Sequence, residues 1–412
     1  MTRDIISYLP RLAERQLAMI LKTQPVAVLM GARQSGKSTL IDRSETTQPF
    51  VHLTLDDLST RQQALHDPEG LLLRADRLAI DEVQRAPDLL IAIKRAVDMD
   101  RTPGRFLLTG SANLLAVKSV QESLTGRASF VSFWPFTRRE RLGLGTAGAW
   151  SVFFDLPLLQ WTDALRLQEA PPDDWRMYAS ESGYPPVAIA QLPREAQALW
   201  LQGYLDSFLS RDVAELLQLA RPLDLLRLMR AACTAIGQVE HQAAWAQTTG
   251  LSTSTVSRWV DLLEITYQLV RIPAFSVNRT SRLTKKPKLY WSDTAMALHL
   301  ANAETPSGSH FENMVLADLN AWCGSHARRP IVHHWRTVSQ REVDFVLEMP
   351  NGAVLPIEVK TTSSPGIGDL AGLNAFLDEY PDLAVGGLLL HTGDDVVRLS
   401  KRIIAAPWWR VF

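Results

Sequence analysis

The sequence predicts an α/β fold: a parallel sheet near the start, a helical middle, and a second α/β unit at the end. Three observations predict it. Short apolar runs of buried-strand length, Val26-Ala-Val-Leu-Met30, Leu78-Ala-Ile80 and Phe106-Leu-Leu108, are separated by helix-length stretches. The first run breaks at once into Gly31-Ala-Arg-Gln-Ser-Gly-Lys-Ser-Thr39, so that strand, loop and helix follow in succession. Beyond Asp224 the pattern becomes helix, helix, turn, helix, and later Glu342-Val-Asp-Phe-Val-Leu347 and Pro356-Ile-Glu-Val-Lys360 flank a Pro-Asn-Gly turn as a pair of strands.

Composition bounds the classes. At 412 residues and 46% hydrophobic content, the chain has material for two or three cored domains. A net charge of −1 excludes a globally basic nucleic-acid binder, so any such surface is a local patch. Cys233 and Cys323 stand far apart without metal-ligand spacing, which predicts neither a disulfide framework nor a zinc site and points to a reducing, cytoplasmic setting. Met1 to Tyr8 mixes acid and base and lacks the apolar core of a signal peptide. With no run of about 18 apolar residues, no membrane span or membrane partner is expected.

Taken in order, Ile5, Leu9, Leu12, Leu17, Ile20 and Leu21 recur at helical spacing and predict a helix over 5–22. Gly31 to Ser38 fits G-x-x-x-x-G-K-[ST], a phosphate-binding loop. Gly31 and Gly36 let the backbone curl so that the N–H groups of the run through Ala32, Arg33, Gln34, Ser35, Lys37, Ser38 and Thr39 face phosphate oxygens at a helix N-terminus. Lys37 would reach the β- and γ-phosphates, and Ser38 would put its hydroxyl on Mg²⁺. Pro49 to Leu55 reads as a second strand ending in Asp56-Asp57, followed by a helical stretch through Asp67-Pro68. The strand ending in Asp81-Glu82 supplies two carboxylates: Asp81 to hold Mg²⁺ through water, and Glu82 to polarise the attacking water. The two serve different partners only if the strand ends there and the chain turns away. A kinase is disfavoured because Glu82 directly follows Asp81, as hydrolysis by water requires.

Arg105 to Asn113 predicts a further buried strand ending in hydroxyls. Thr109 and Ser111 share a strand face, and this stretch resembles the place where an AAA-type ATPase keeps a polar residue against the γ-phosphate or the attacking water, which implies that role for one of them, Ser111 as the catalytic candidate. Arg127, on the Gly126 turn, is suited to answering transition-state charge in its own or a neighbouring subunit. An ordinary surface arginine is the competing reading.

Gly31 to Thr39, Leu55-Asp-Asp57, Asp81-Glu-Val-Gln84, Leu108-Thr-Gly-Ser-Ala-Asn113 and Leu124-Thr-Gly-Arg127 together resemble the AAA-type P-loop ATPase domain of a large prokaryotic group. That group usually carries a C-terminal domain of unknown function. The resemblance implies a five-stranded parallel sheet with the sensor strand, ending near Thr109, between the P-loop and Walker B strands. Ser38 stands where many members have threonine, which leaves the Mg²⁺ role intact.

Residues 141–222 read as a helical linker region, broken by Gly143 to Gly148 and Pro171 to Asp174. Glu181-Ser-Gly-Tyr-Pro-Pro186 resembles the group's glycine-aromatic-proline turn, and Tyr204 to Asp212 its helix ending in Arg211-Asp212. Residues 223–284 read as a winged-helix-like domain, with the helix after Gly250-Leu251 placed to enter a DNA major groove and Tyr267 to Ile272 beginning the wing. Between Arg271 and Lys288 lie six basic residues (Arg271, Arg279, Arg282, Lys285, Lys286, Lys288) and no acid, a patch suited to DNA phosphates. A solvated face on an inert spacer is the competing reading.

Lys288-Leu-Tyr-Trp-Ser-Asp293 and His310-Phe-Glu-Asn313 match the group's C-terminal domain. The strands holding Asp344 and Glu358 resemble a PD-(D/E)XK, restriction-endonuclease-like core over 285–412. Asp344, Glu358 and, from a preceding helix, Glu312 would hold Mg²⁺, while Lys360 activates water. Glu358 and Lys360, two apart, share a face. A three-residue loop at 350–352 pairs 344 with 358, whereas a two-residue loop turns Glu358 to the other side. With the AAA-like domain over 1–140, the expectation is an ATP- and Mg²⁺-dependent ATPase coupled to DNA binding, with DNA cleavage and oligomeric state left open. The rival is a nucleotide-dependent switch that binds a protein partner and cuts nothing.

Overall fold

A computed structural model describes residues 8–110, 124–168, 171–213, 222–278, 282, 285–337 and 339–412. The first sheet consists of β1 (Val26–Met30), β2 (Val51–Thr54), β3 (Leu78–Asp81), β4 (Phe106–Gly110) and β5 (Ala128–Ser132). All its pairings are parallel, in the order β2-β3-β4-β1-β5, which puts the sensor strand β4 between the P-loop strand β1 and the Walker B strand β3. β1, β3 and β4 are buried along their whole length, which is why they read as unbroken apolar runs. The expected first helix is shorter than its periodicity: it spans Ala13–Thr23. Residues 1–7 lie outside the described part, and the free N–H groups of Arg11 and Leu12 are taken by the carboxylates of Glu14 and Glu140, at 2.7 and 2.6 Å.

The middle is helical: Trp175–Ser180, Arg194–Ser207, Pro222–Cys233, Gln242–Thr249 and Thr253–Ile265. Gly250, at φ 73°, turns the chain between the last two, and Ser252 caps the second by accepting from Thr255 N at 3.1 Å. β6 (Leu269–Ile272) then pairs antiparallel with β7 (Lys288–Trp291), and Val239 bridges to Lys288 on its other side.

The last sheet comprises β8 (Ile331–Arg336), β9 (Glu342–Glu348), β10 (Val354–Val359), β11 (Gly387–His391), β12 (Val397–Arg398) and β13 (Ile403–Pro407). It is mixed, in the order β12-β13-β11-β10-β9-β8. The β9–β10 register runs from Glu348 opposite Val354 to Phe345 opposite Ile357, and one further step of it would set Asp344 opposite Glu358. Met349 N donates to Ala353 O at 2.9 Å, so the loop is 350–352, the odd length that convergence of the two acids requires.

The units share one buried seam. The long helix Gly308–Gly324 offers Asp318 to the indole N–H of Trp150, at 2.6 Å. Arg138, just beyond β5 and fully buried, donates to the carbonyls of Trp409 and Phe412 at 3.3 and 3.2 Å, and Phe412 stacks on Trp150. One continuous apolar cluster runs from Val26 and Leu78 through Trp150 and Trp259 to Leu355 and Trp408. Among the described residues no helix is long and apolar enough to cross a membrane.

Candidate functional site

β1 delivers the phosphate-binding loop at its C-terminal end. A Cβ on Gly31 would collide with the carbonyl of Phe133, so only glycine fits there. Gly36 sits at φ 100° and Gln34 at φ 59°, both in the left-handed region the loop's curl demands. Lys37 is buried and folded back, its ammonium donating to Gly31 O at 2.9 Å and Ala32 O at 2.8 Å. Gln34, Ser38 and Thr39 stand exposed at the mouth, Arg33 is half-buried, and the buried hydroxyl of Ser35 has no partner.

The Walker B strand brings Asp81 to this loop. Ser38 Oγ donates to Asp81 Oδ2 at 2.6 Å, and the hydroxyl of Thr109 donates to the other oxygen. Hydroxyl and carboxylate in direct contact form the all-oxygen donor pair that suits Mg²⁺ with retained waters. Thr109 thus reaches the site from the sensor strand, while Ser111 lies outside the described residues. Glu82 leaves the strand at φ 57°, a conformation that costs a non-glycine residue about 1 kcal/mol or more. The chain thus leaves the strand directly after Asp81, the condition on which the two acids could serve different partners. The amide of Gln84 donates to Glu82, a partner no spacing rule announces.

Arg127 is placed elsewhere. Ala128, the next residue, pairs with Val26 at the N-terminal end of β1, whereas the P-loop leaves the opposite end. Its guanidinium grips Asp98 in two bonds of 2.7 and 2.8 Å, and these hold the Asp98 carboxyl below its usual range. Within its own chain, therefore, Arg127 does not join the phosphate site.

The turn after Glu181 packs against the P-loop. A Cβ on Gly36 would sit 3.3 Å from both Pro185 and the Arg11 guanidinium. Buried Asp293 holds that turn by accepting from Gly183 N at 2.7 Å and Ser182 Oγ at 3.1 Å.

A second group forms where β9, β10, β7 and the helix Gly308–Gly324 meet. Asp344 Oδ2 accepts from Val359 N at 2.9 Å; Lys360 Nζ lies 2.6 Å from Glu358 Oε1; Tyr290 donates to Glu312 at 3.2 Å. Glu358 Oε2 is buried without a hydrogen-bond partner among the described residues. Burial, reinforced by the charge of Asp344, pushes the carboxyls of Glu312 and Glu358 well up, and burial raises Asp344 despite Lys288. Among the described residues no three His, Cys, Asp or Glu side chains are arranged to hold a metal ion. The expected set of Glu312, Asp344 and Glu358 is thus not drawn together as ligands: Glu312 is turned to Tyr290, and a lysine stands at each of the other two.

That second lysine is Lys288, and it changes the reading of the basic segment. Lys288 is buried, its ammonium 3.8 Å from Asp344 Oδ1. Arg271 is held by Glu264 and by Asp261 at 2.6 Å, and Arg282 by Glu348 at 2.6 Å. Acids outside the segment neutralise all three, close in sequence for Arg271 and remote for Arg282 and Lys288. Lys285 and Lys286 stay exposed, and Arg279 lies outside the described residues. Replacing Lys288 by methionine strands a buried carboxylate, so it is expected to cost about 3–5 kcal/mol in chemical denaturation. An unchanged midpoint would return Lys288 to the surface patch.

Residues 23–142 match the AAA domain family, residues 172–307 a domain of unknown function (DUF8612), and residues 307–411 another domain of unknown function (DUF4143). An uncharacterised protein of Mycobacterium bovis and one of Mycobacterium tuberculosis are each 28% identical over 411 residues, covering 96% of this chain and 82% of theirs. A Walker-type ATPase of Pyrococcus abyssi superposes with a TM-score of 0.40 at 15% identity, covering 72% of this chain and 99% of that one. Motifs, sheet order and the match over residues 23–142 make this part of the chain a P-loop ATPase domain of the AAA type.

Proposed function

We propose that the chain hydrolyses ATP with Mg²⁺ at the P-loop and couples this to DNA held by its helix-turn-helix unit. The observation that carries the reading is the junction of Ser38, Asp81 and Thr109 beside a turned-out Glu82. Mg²⁺, when bound, neutralises phosphate charge. Ser38 and Asp81 would hold it, Lys37 would leave the loop carbonyls for the β- and γ-phosphates, and Glu82 would take the proton from the attacking water. Purified protein with ATP, Mg²⁺ and linear, circular or single-stranded DNA tests this. The reading requires phosphate release that DNA changes; release that ignores DNA removes the coupling, and no release removes the ATPase.

DNA contact rests on the helix, strand, helix, turn, helix and hairpin order, with Ser252, Thr253, Ser254 and Arg258 exposed on the helix after Gly250 and Lys285 and Lys286 exposed beside β7. Replacing Lys285 and Lys286 with alanine is expected to weaken binding equally across sequences. The log-log salt slope should flatten by about 0.9 per lost phosphate contact. Unchanged salt dependence returns both lysines to solvent.

A second reading, that the nuclease-like domain does not cut, is favoured by buried Lys288 beside Asp344 and by the lack, among the described residues, of three acids or histidines arranged to hold a metal ion. Supercoiled DNA incubated with Mn²⁺ decides it, since nicking that disappears in Asp344→Ala would overturn that reading.

A further inference from the structure

We propose that Arg11, ahead of the first helix, is a positioning residue for the nucleotide: it sets the orientation of the Ser35–Gly36 peptide and hence the phosphate cradle. The inference rests on the P-loop reading above. Arg11 is 5% exposed and clamped between the rings of Phe133 and Phe136, at 4.0 and 4.2 Å. Its Nη1 donates to Ser35 O at 3.0 Å, its Nη2 to Trp134 O at 2.7 Å, and its Nε lies 3.2 Å from Glu140 Oε1. Glu140 is itself fixed, accepting from Leu12 N at 2.6 Å and Thr137 N at 2.8 Å.

The consequence for phosphate follows from peptide geometry. In a planar trans peptide the C=O and the following N–H point in opposite directions. Holding the Ser35 carbonyl therefore aims the Gly36 N–H away from Arg11, and this N–H is one of the donors with which such a loop receives phosphate oxygens. A lock is needed here because Gly36 has φ 100°: glycine tolerates both this conformation and a flipped peptide, so its own sterics do not choose. The planar guanidinium also has a second anchor, the Trp134 carbonyl beyond β5, so loop and sheet edge are held by one rigid group. No spacing pattern marks Arg11, because both its acceptors are backbone atoms brought in by the fold.

The test separates positioning from general stability by comparing Arg11→Met with Glu140→Gln, using the full-length chain and a fluorescent ATP analogue with Mg²⁺ well below either unfolding midpoint. Both variants break the Arg11–Glu140 ion pair, but only Arg11→Met releases Ser35. Arg11→Met is expected to weaken nucleotide binding at least 10-fold, with turnover at saturation changed less than threefold. Glu140→Gln should lose thermal stability yet bind within threefold of wild type, and Arg11→Lys, which retains one donor for Ser35, should recover most of the affinity. Equal losses in Arg11→Met and Glu140→Gln, or none in Arg11→Met, would overturn the inference. If Arg11→Met does not fold, Arg11→Lys against Glu140→Gln decides: the proposal fails if Glu140→Gln binds more weakly than Arg11→Lys. Wild type that binds no nucleotide would instead overturn the P-loop reading.

Discussion

Glu82→Gln is expected to lower ATP turnover by about 10²–10⁴-fold while leaving nucleotide affinity nearly unchanged. The glutamate stands outside β3 and, in the proposed role, would meet the water only during reaction, so its loss should fall on kcat and leave the ground state alone. Lys37→Ala should behave oppositely. Lys37 is the cation within the loop and would meet phosphates already in the bound state, so binding itself should vanish. Rapid-quench phosphate release and equilibrium nucleotide binding on both variants check the pair. Near-normal turnover in Glu82→Gln would strip it of its role.

The second large effect concerns Asp318, which takes no part in the nucleotide chemistry. Burial raises its carboxyl from 3.8 to about 7, against the pull of the Trp150 hydrogen bond. The folded state keeps a proton that the unfolded chain has released. The associated stability is complete below about pH 4 and is lost as pH rises through 7, and the raised value corresponds to roughly 4 kcal/mol lost by pH 8. Asp318→Asn cannot ionise, and its amide oxygen still accepts from Trp150. Its unfolding midpoint should match wild type near pH 4 and exceed it increasingly up to pH 8. Glu312 and Glu358 shift in the same direction, so the diagnostic quantity is the difference between variant and wild type at each pH. Parallel pH profiles would show that Asp318 is already ionised in the fold.

What the sequence made legible is what local rules govern. The P-loop, both Walker B acids and the succession of two helices across the turn at Gly250 are readable because local spacing encodes them. For Asp344 and Glu358 the sequence says only that loop parity decides their facing; which parity holds is settled by the Met349–Ala353 hydrogen bond. The sheet order came from family resemblance, since apolar runs do not say which strand lies beside which. Of the two placements open to Arg127, its own chain's phosphate site could have been set aside from sequence: a residue just before a parallel strand lies at the end opposite the phosphate loop. Lys288 was read as part of a basic patch because its partner, Asp344, is remote in sequence. A lysine opening the otherwise apolar run Leu289-Tyr-Trp291 was the available hint. Gln84 and the turn at Pro185 act by contact, and contact has no signature in spacing.

Arg138 has a consequence for where the molecule can be divided. It lies within the AAA match, yet the carbonyls it serves belong to Trp409 and Phe412, near the far end of the chain. Excised at residue 142, the ATPase would carry this guanidinium without its acceptors, and Trp150 and Asp318 would be left on the other piece with an open face. The border drawn by sequence likeness is not a border of self-sufficiency. The ATPase is therefore no portable cassette: what happens at the far end of the chain is felt, through one arginine, a few residues from the strand edge that supports the nucleotide loop.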